Sequence, residues 1–201
     1  MGGIFWALNV LCFPFPERTP YAQLCQIQTL EKEGAIEQFD GDEPGFCLIS
    51  AIPYGWQFPG EHVATQPRHS PRFIVLGLFN ATTKELHTAA REGTLDAAFL
   101  IDTLDAWVAT RTRPTVLVLD NARLHHAATF QARLQGWEDH DVPLFYLPTC
   151  CPHLNKIETR WHKVKYEWLR PEATADCKTL KTAVWHIPDR VGLPLTIQFA
   201  T

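Results

Sequence analysis

Two acidic residues in the second half of the chain stand where a fold can aim them at one point. Asp120 closes TVLVLD (115–120), an almost wholly apolar run that reads as a strand covered on both faces. Glu158 stands in NKIETRWHKVK (155–165), which reads as the opening of a helix with a basic far end. Carboxylates on different elements that converge are hard oxygen ligands, suited to Mg²⁺ and poorly suited to soft metals. A divalent ion held that way serves phosphoryl transfer. A further acidic group, Asp40, Asp42 and Glu43, lies upstream around GDEPG (41–45).

Each acid also has a purely structural reading. Asp42 sits among Gly and Pro, so it can be a turn former. Asp120 can cap a helix or close an Asx turn. Asn155-x-x-Glu158 fits a capping box, and on residues alone that is the better reading of Glu158.

The elements that must position these acids follow from periodicity. Residues 20–33 read as a helix with Leu24, Ile27 and Leu30 on one face. AIEQFD (35–40) and FCLIS (46–50) read as strands joined by the loop GDEPG. RFIVLGLFN (72–80) is a strong strand and KELHTA (84–89) a weaker one. Residues 94–111 form a long amphipathic helix pattern, and Pro114 resets the chain before TVLVLD. HAATFQARLQGW (126–137) reads as a helix and PLFYLP (143–148) as another buried strand. Residues 155–170 read as a helix with Ile157, Trp161, Val164 and Trp168 toward the core, and a last helix covers 176–186. Hairpin strands first and βαβ units later predict an α/β fold: a ribonuclease-H-like mixed sheet with helices on both faces. In it Asp42, Asp120 and Glu158 converge.

Composition bounds the class. The 201 residues suit one domain, and 46% hydrophobic content supports a core. No apolar run reaches the roughly 18 residues of a membrane span. The apolar start, MGGIFWALNVLCFPFPER, lacks a basic leader and a clear cleavage site. It reads as a truncated or packed start, with a signal peptide the lesser alternative. The six cysteines form no CxxC pair, which argues for reduced thiols and against a zinc module. Residues 1–110 hold 6 basic against 13 acidic side chains, whereas residues 111–170 hold 9 against 6. The basic excess surrounds Asp120 and Glu158, where a phosphate backbone can bind although the whole chain carries −4.

The ordered combination is recognisable. Asp120, Asn121 and His125 (D-N-x-x-x-H) are followed by Leu147, Pro148, Pro152, Leu154, Asn155, Ile157, Glu158, Trp161 and Lys165. With DEPGF (42–46), Trp56 and Gly60, this resembles DDE transposases, most of all the insertion-sequence-630 branch of the Tc/mariner superfamily. The 37 residues between Asp120 and Glu158 fall within that family's usual range. The resemblance runs from about residue 20 to 200. It departs where the family has L-P-P-Y-S-P-x-L-N-P-I-E: Thr149, Cys150 and Cys151 occupy the loop, and Lys156 stands where proline is usual.

The resemblance implies metal-dependent DNA strand cleavage and strand transfer, with Asp42, Asp120 and Glu158 as catalytic acids and metal ligands. Spacing to Phe46 favours Asp42 over its rival Asp40, with Glu43 a neighbour. It implies two Mg²⁺ (or Mn²⁺) ions about 3.5–4 Å apart. Asn121, His125, Arg160, Lys163 and Lys165 are the candidate DNA contacts; His125 reads equally as orienting a group behind the metal ligands, and for the lysines a solvated helix face is as good a reading. Implied partners are transposon ends and target DNA, with a homodimer assembled on DNA and neither a membrane nor a small-molecule substrate. The implied location is cytoplasmic, on the bacterial nucleoid. Residues 1–34 are expected to be an extension truncated relative to the family, which carries helix-turn-helix domains there. Residues 35–201 are expected to form the catalytic domain. Two alternatives stay open: an inactive remnant that binds nucleic acid, and a ribonuclease-H-like nuclease with no transposition role.

Overall fold

A computed structural model describes residues 19–48, 60, 72–148, 151–169 and 176–186. Expectations for residues 1–18, residues 49–50, Trp56, Thr149, Cys150 and Arg170 lie outside the described residues. The elements run α1 (Pro20–Lys32), β1 (Glu37–Asp42), β2 (Gly45–Phe46), β3 (Phe73–Phe79), β4 (Leu86–Glu92), α2 (Ala97–Val108) and β5 (Thr115–Leu119). Then come a 3₁₀ turn (Arg123–His126), α3 (Ala128–Gln131), α4 (Leu134–Glu138), β6 (Leu144–Tyr146), α5 (Lys156–Lys163), a π-helical turn (Val164–Trp168) and α6 (Cys177–Trp185).

The sheet is mixed, in the order β4-β3-β1-β5-β6, with β2 also against β3. β1 runs antiparallel to β3 and parallel to β5, and β5 runs parallel to β6. This is the ribonuclease-H-like arrangement expected from the strand and helix order. The first two strands differ from expectation. GDEPG is not a loop between separate strands, because β1 and β2 share one ladder. Asp42 opposes Gly77, Gly45 opposes Ile74 and Phe46 opposes Phe73 in unbroken register. Pro44 has no amide to give the ladder, yet its carbonyl still accepts from the Val75 amide at 3.1 Å. The Glu43 amide turns instead to the Asp42 carboxylate at 2.8 Å. The ladder is therefore interrupted at Glu43 and Pro44 without a change of partner.

Alternation along β1 separates two faces. Phe39 packs with Leu76, Leu78, Leu117 and Leu119 against Leu100, Leu104 and Trp107 of α2, with Phe130 and Trp137 beside them. The opposite face carries Gln38, Asp40 and Asp42. There α1 covers Val116 and Val118 through Leu24 and Ile27. α5 and α6 cover Phe46, Phe73 and Val75 through Ile157, Trp161, Leu180 and Val184. Pro20 opens α1 behind the Thr19 cap, and Gly34 leaves it at φ 73°, a left-handed conformation that suits glycine.

Two other expectations change. The helix read over 126–137 is a 3₁₀ turn and two short helices. Asp105 holds the Arg133 guanidinium (2.6 Å) and the Trp137 indole N–H (2.7 Å) where the helix would have run on. β6 is half-buried rather than buried, because it is the sheet edge. Among the described residues no helix is long and apolar enough to cross a membrane.

Candidate active site

Asp42 is the last residue of β1, not a turn residue beyond it. Burial raises its carboxyl first, and the Glu43 charge adds to that. The charges of Glu158 and Asp120 add further, and against the opposing Glu43 amide the group sits at about 7. Asp42 thus lies within electrostatic reach of both other candidate acids.

Asp120 follows β5 at once. Its Oδ1 accepts the Ala122 amide at 3.1 Å, an Asx turn that aims the side chain past the strand end. The carboxylate is 49% exposed. The His125 ring bonded to it holds its pKa below the ordinary carboxylate range, outweighing partial burial.

Glu158 lies in the first turn of α5. Asn155 caps that helix, with Oδ1 3.4 Å from the Ile157 amide. The reciprocal half of a capping box is missing: among the described residues the Glu158 carboxylate accepts no hydrogen bond. Asn155 does something else. Its buried Nδ2 donates to the Gly41 carbonyl at 3.0 Å, which pins the start of α5 to the strand that carries Asp42. One turn on, the Trp161 ring lies directly over Gly77, where a Cβ would collide with it. Because Gly77 opposes Asp42 in the ladder, a residue without a side chain lets α5 close down beside that acid.

Asp40 stands apart from the trio. It is fully buried and accepts from Gln38 Nε2 at 3.1 Å, with the start of α5 at Lys156 near it. Burial raises it to about 6, while the Lys156 charge, the Gln38 bond and the Lys156 amide pull it down. Lys156 Nζ lies 3.3 Å from Glu31 Oε2, and Thr82 donates to Glu31 Oε1 at 3.0 Å.

His125, expected among DNA contacts, is 1% exposed. Its Nδ1 lies 3.0 Å from the Asp120 carbonyl and 3.3 Å from Asp120 Oδ1, and its Nε2 lies 3.1 Å from Glu43 Oε1. Burial alone would lower its pKa, but the bonds to Asp120 and Glu43 outweigh it and raise the ring to about 10. A ring so enclosed presents no nitrogen to a phosphate.

The sequence pattern of the DDE superfamily endonuclease family matches residues 40–181, from Asp40 through α5 into α6. The chain belongs to the DDE superfamily of endonucleases. Among curated proteins none matches it. Its fold is similar to that of solved Mos1 transposase assemblies. A Mos1 strand transfer complex is 14% identical, with a TM-score of 0.52 over 87% of this chain and 60% of that one. A Mos1 paired-end complex with left transposon end is 15% identical, with a TM-score of 0.52 over 87% and 62%. A mariner Mos1 paired-end complex with Mg is 14% identical, with a TM-score of 0.51 over 89% and 62%. The chain spans about three fifths of the length of those chains.

Around the acids of this endonuclease domain, the remaining candidates lie on different surfaces. Asn121 is exposed and meets the His126 ring through its side-chain oxygen. Arg160 stacks over Phe79 at 5.0 Å, and Lys165 lies over Phe46 at 5.6 Å. Both rest their length on apolar rings of the same core, and half-buried Lys163 shares their helical stretch. Among the described residues no three His, Cys, Asp or Glu side chains already close on one point. Asp42 and Asp120 instead spend an oxygen each on a neighbouring amide. Sequence reading left two contributions unassigned: Glu43, noticed only as a neighbour of Asp42, and the Asn155 tether. Asn155 carried a signal, since a cap residue just ahead of the key acid must face the strand below.

Proposed function

We propose that this chain is the catalytic domain of a transposase that cleaves and joins DNA with Mg²⁺ or Mn²⁺, as its resemblance to the insertion-sequence-630 branch of Tc/mariner elements implies. One observation carries the reading: half-buried Asp42, at the end of β1, lies within electrostatic reach of Glu43, Glu158 and Asp120, and partial burial with their charges raises it to about 7. A protein that folds like-charged carboxylates together leaves a site that a cation relieves. The donor set fits the ion, being all carboxylate and drawn from a strand end, a post-strand turn and a helix start.

Asp42, Asp120 and Glu158 would hold the metal. Bound there, Mg²⁺ or Mn²⁺, two ions in this proposal, supplies Lewis-acid stabilisation of the attacking and leaving oxygens in an in-line displacement at phosphorus. The chain's own part is placement. The Asx turn orients Asp120, and the Asn155–Gly41 bond with the Trp161–Gly77 contact docks the start of the Glu158 helix on the strand that carries Asp42. Asn121 is exposed next to Asp120, Arg160 and Lys163 lie on the helix that carries Glu158, and Lys165 lies on the π-helical turn after it; in this proposal they contact the DNA backbone. The first reaction is hydrolysis at a transposon end, and the second is attack of the freed 3′-OH on target DNA by a pair of such subunits. Residues 35–201 form the catalytic unit of this proposal.

The test is nicking of end-containing duplex DNA by the purified chain with Mg²⁺ or Mn²⁺, against Asp120→Ala. Activity that requires both metal and Asp120 is the expected result. Inactivity of the parent, or equal activity of the variant, refutes catalysis by this chain.

A further inference from the structure

Asp120 needs something to hold it. Its side chain is half in solvent, and a single amide bond from Ala122 leaves one carboxylate oxygen uncommitted. The other group on the bonded oxygen, Oδ1, is the buried His125 ring, at 3.3 Å. That ring is fixed from all sides: it lies against Phe130, with centroids 5.4 Å apart, and Tyr146, at 6.4 Å. Its own carbonyl accepts from Gln131 Nε2 at 2.7 Å and from the Tyr146 hydroxyl at 3.3 Å. The far nitrogen meets Glu43 Oε1, and the Glu43 side chain is only 8% exposed. Every group facing the two ring nitrogens is an acceptor: the Asp120 carbonyl, the Asp120 carboxylate and the Glu43 carboxylate. Both nitrogens must therefore donate.

We propose that Glu43 and His125 are positioning residues: Glu43 locks the His125 ring, His125 locks the Asp120 carboxylate, and the metal site depends on both although neither touches the ion. The chain Glu43–His125–Asp120 joins residues 82 and 5 positions apart, so it ties the segment after β1 to the end of β5. It also occupies the carboxylate nearest to Asp42 in sequence. Glu43 is thereby kept from competing as a fourth ligand. Partners that hold a metal ligand's orientation change metal affinity by about 10–100-fold when lost. The inference rests on the metal-site reading above.

Mn²⁺ binding to the purified chain, followed by electron paramagnetic resonance, tests it without any assay of cleavage, with thermal unfolding measured alongside. Glu43→Ala is expected to weaken Mn²⁺ binding by about tenfold or more, and Glu43→Gln, which keeps an acceptor, to recover most of it. His125→Asn places an amide donor near the Nδ1 position and is expected to bind Mn²⁺ more tightly than His125→Gln, whose amide reaches the Glu43 side. In the His125→Asn background, Glu43→Ala is expected to add nothing, because the two act as one unit. An equal loss from Glu43→Ala in both backgrounds overturns the proposal, since Glu43 would then act on the ion independently. Lowered thermal stability with Mn²⁺ affinity unchanged also overturns it, as a merely structural role. If Asp120→Ala binds Mn²⁺ as well as the parent does, the metal site itself is wrong. That failure is distinct from loss of coupling at an intact site.

Discussion

Asp40 and Asp42 stand two residues apart on the same face of one strand, and their surroundings are opposite. Around Asp40 the protein supplies donors: the Gln38 amide, the first amide of α5 and the nearby Lys156 ammonium. Around Asp42 it supplies more acid: Glu43, Asp120 and Glu158. Burial raises both carboxyls, to about 6 and about 7. What differs is whether the compensation is already built in. A buried carboxylate met by protein donors is a fastening. One met by carboxylates is balanced only by a proton or by a cation from outside. The contrast favours Asp42 over Asp40 as the acid of the proposed metal site.

The comparison is broken most directly by exchanging charge for amide at the outer position. Asp42→Asn is expected to lower metal-dependent DNA cleavage by at least about 10³-fold, since a charged ligand is lost from a site where charge stabilisation dominates. The metal-free chain should keep or gain thermal stability, because the variant removes a half-buried carboxyl near like charges. A variant that unfolds while a refolded fraction cleaves normally would reverse the assignment of the two acids.

The second effect is a pH dependence. Asp42 has a folded value of about 7 against an ordinary 3.8, so the folded chain holds the proton more tightly than the unfolded one. The stability this contributes is full below about 3.8 and is lost as pH rises through about 7 in the metal-free chain. A ligand must shed its proton to bind, so Mn²⁺ affinity should rise about tenfold per pH unit up to about 7 and level off above. Binding measured from pH 5.5 to 8 checks this, and a flat profile below 7 rules it out.

How much of this contrast was legible beforehand depends on distance along the chain. TVLVLD announced a buried strand ending in an acid, because six consecutive residues carry the signal. Asn155 and Ile157 announced the start of the helix that bears Glu158. GDEPG misled, since Asp, Gly and Pro in sequence are ordinary turn chemistry. Nothing local reveals that Pro44 keeps its carbonyl in the β3 ladder. Spacing to Phe46 favours Asp42 but cannot show what surrounds Asp40, because that arrives from 116 residues away as the charge of Lys156. The His125–Glu43 contact spans 82 residues and leaves no periodic trace. The edge position of β6 is likewise a property of the sheet, not of PLFYLP.

At the inner position the expected effects are on stability. Asp40→Ala leaves the buried Gln38 amide without its acceptor, and a denaturant titration should show a loss of about 1–3 kcal/mol. Cleavage by the folded fraction should fall far less than in Asp42→Asn. Comparable losses of activity in the two variants would erase the distinction drawn between them.

The smallest effect tests which part of Lys156 matters. Lys156 meets Glu31 through its ammonium at 3.3 Å, and its side chain remains 30% exposed. Its backbone amide, by contrast, lies near the fully buried Asp40 carboxylate. Lys156→Ala removes the first contact and keeps the second, so it should cost less than about 1 kcal/mol. Lys156→Pro removes the amide as well. Proline suits the first position of a helix and adds some stability there, so any extra loss relative to alanine is a lower bound on the contribution of the amide. If the two variants are equally stable, the amide contributes no more than proline adds at that position.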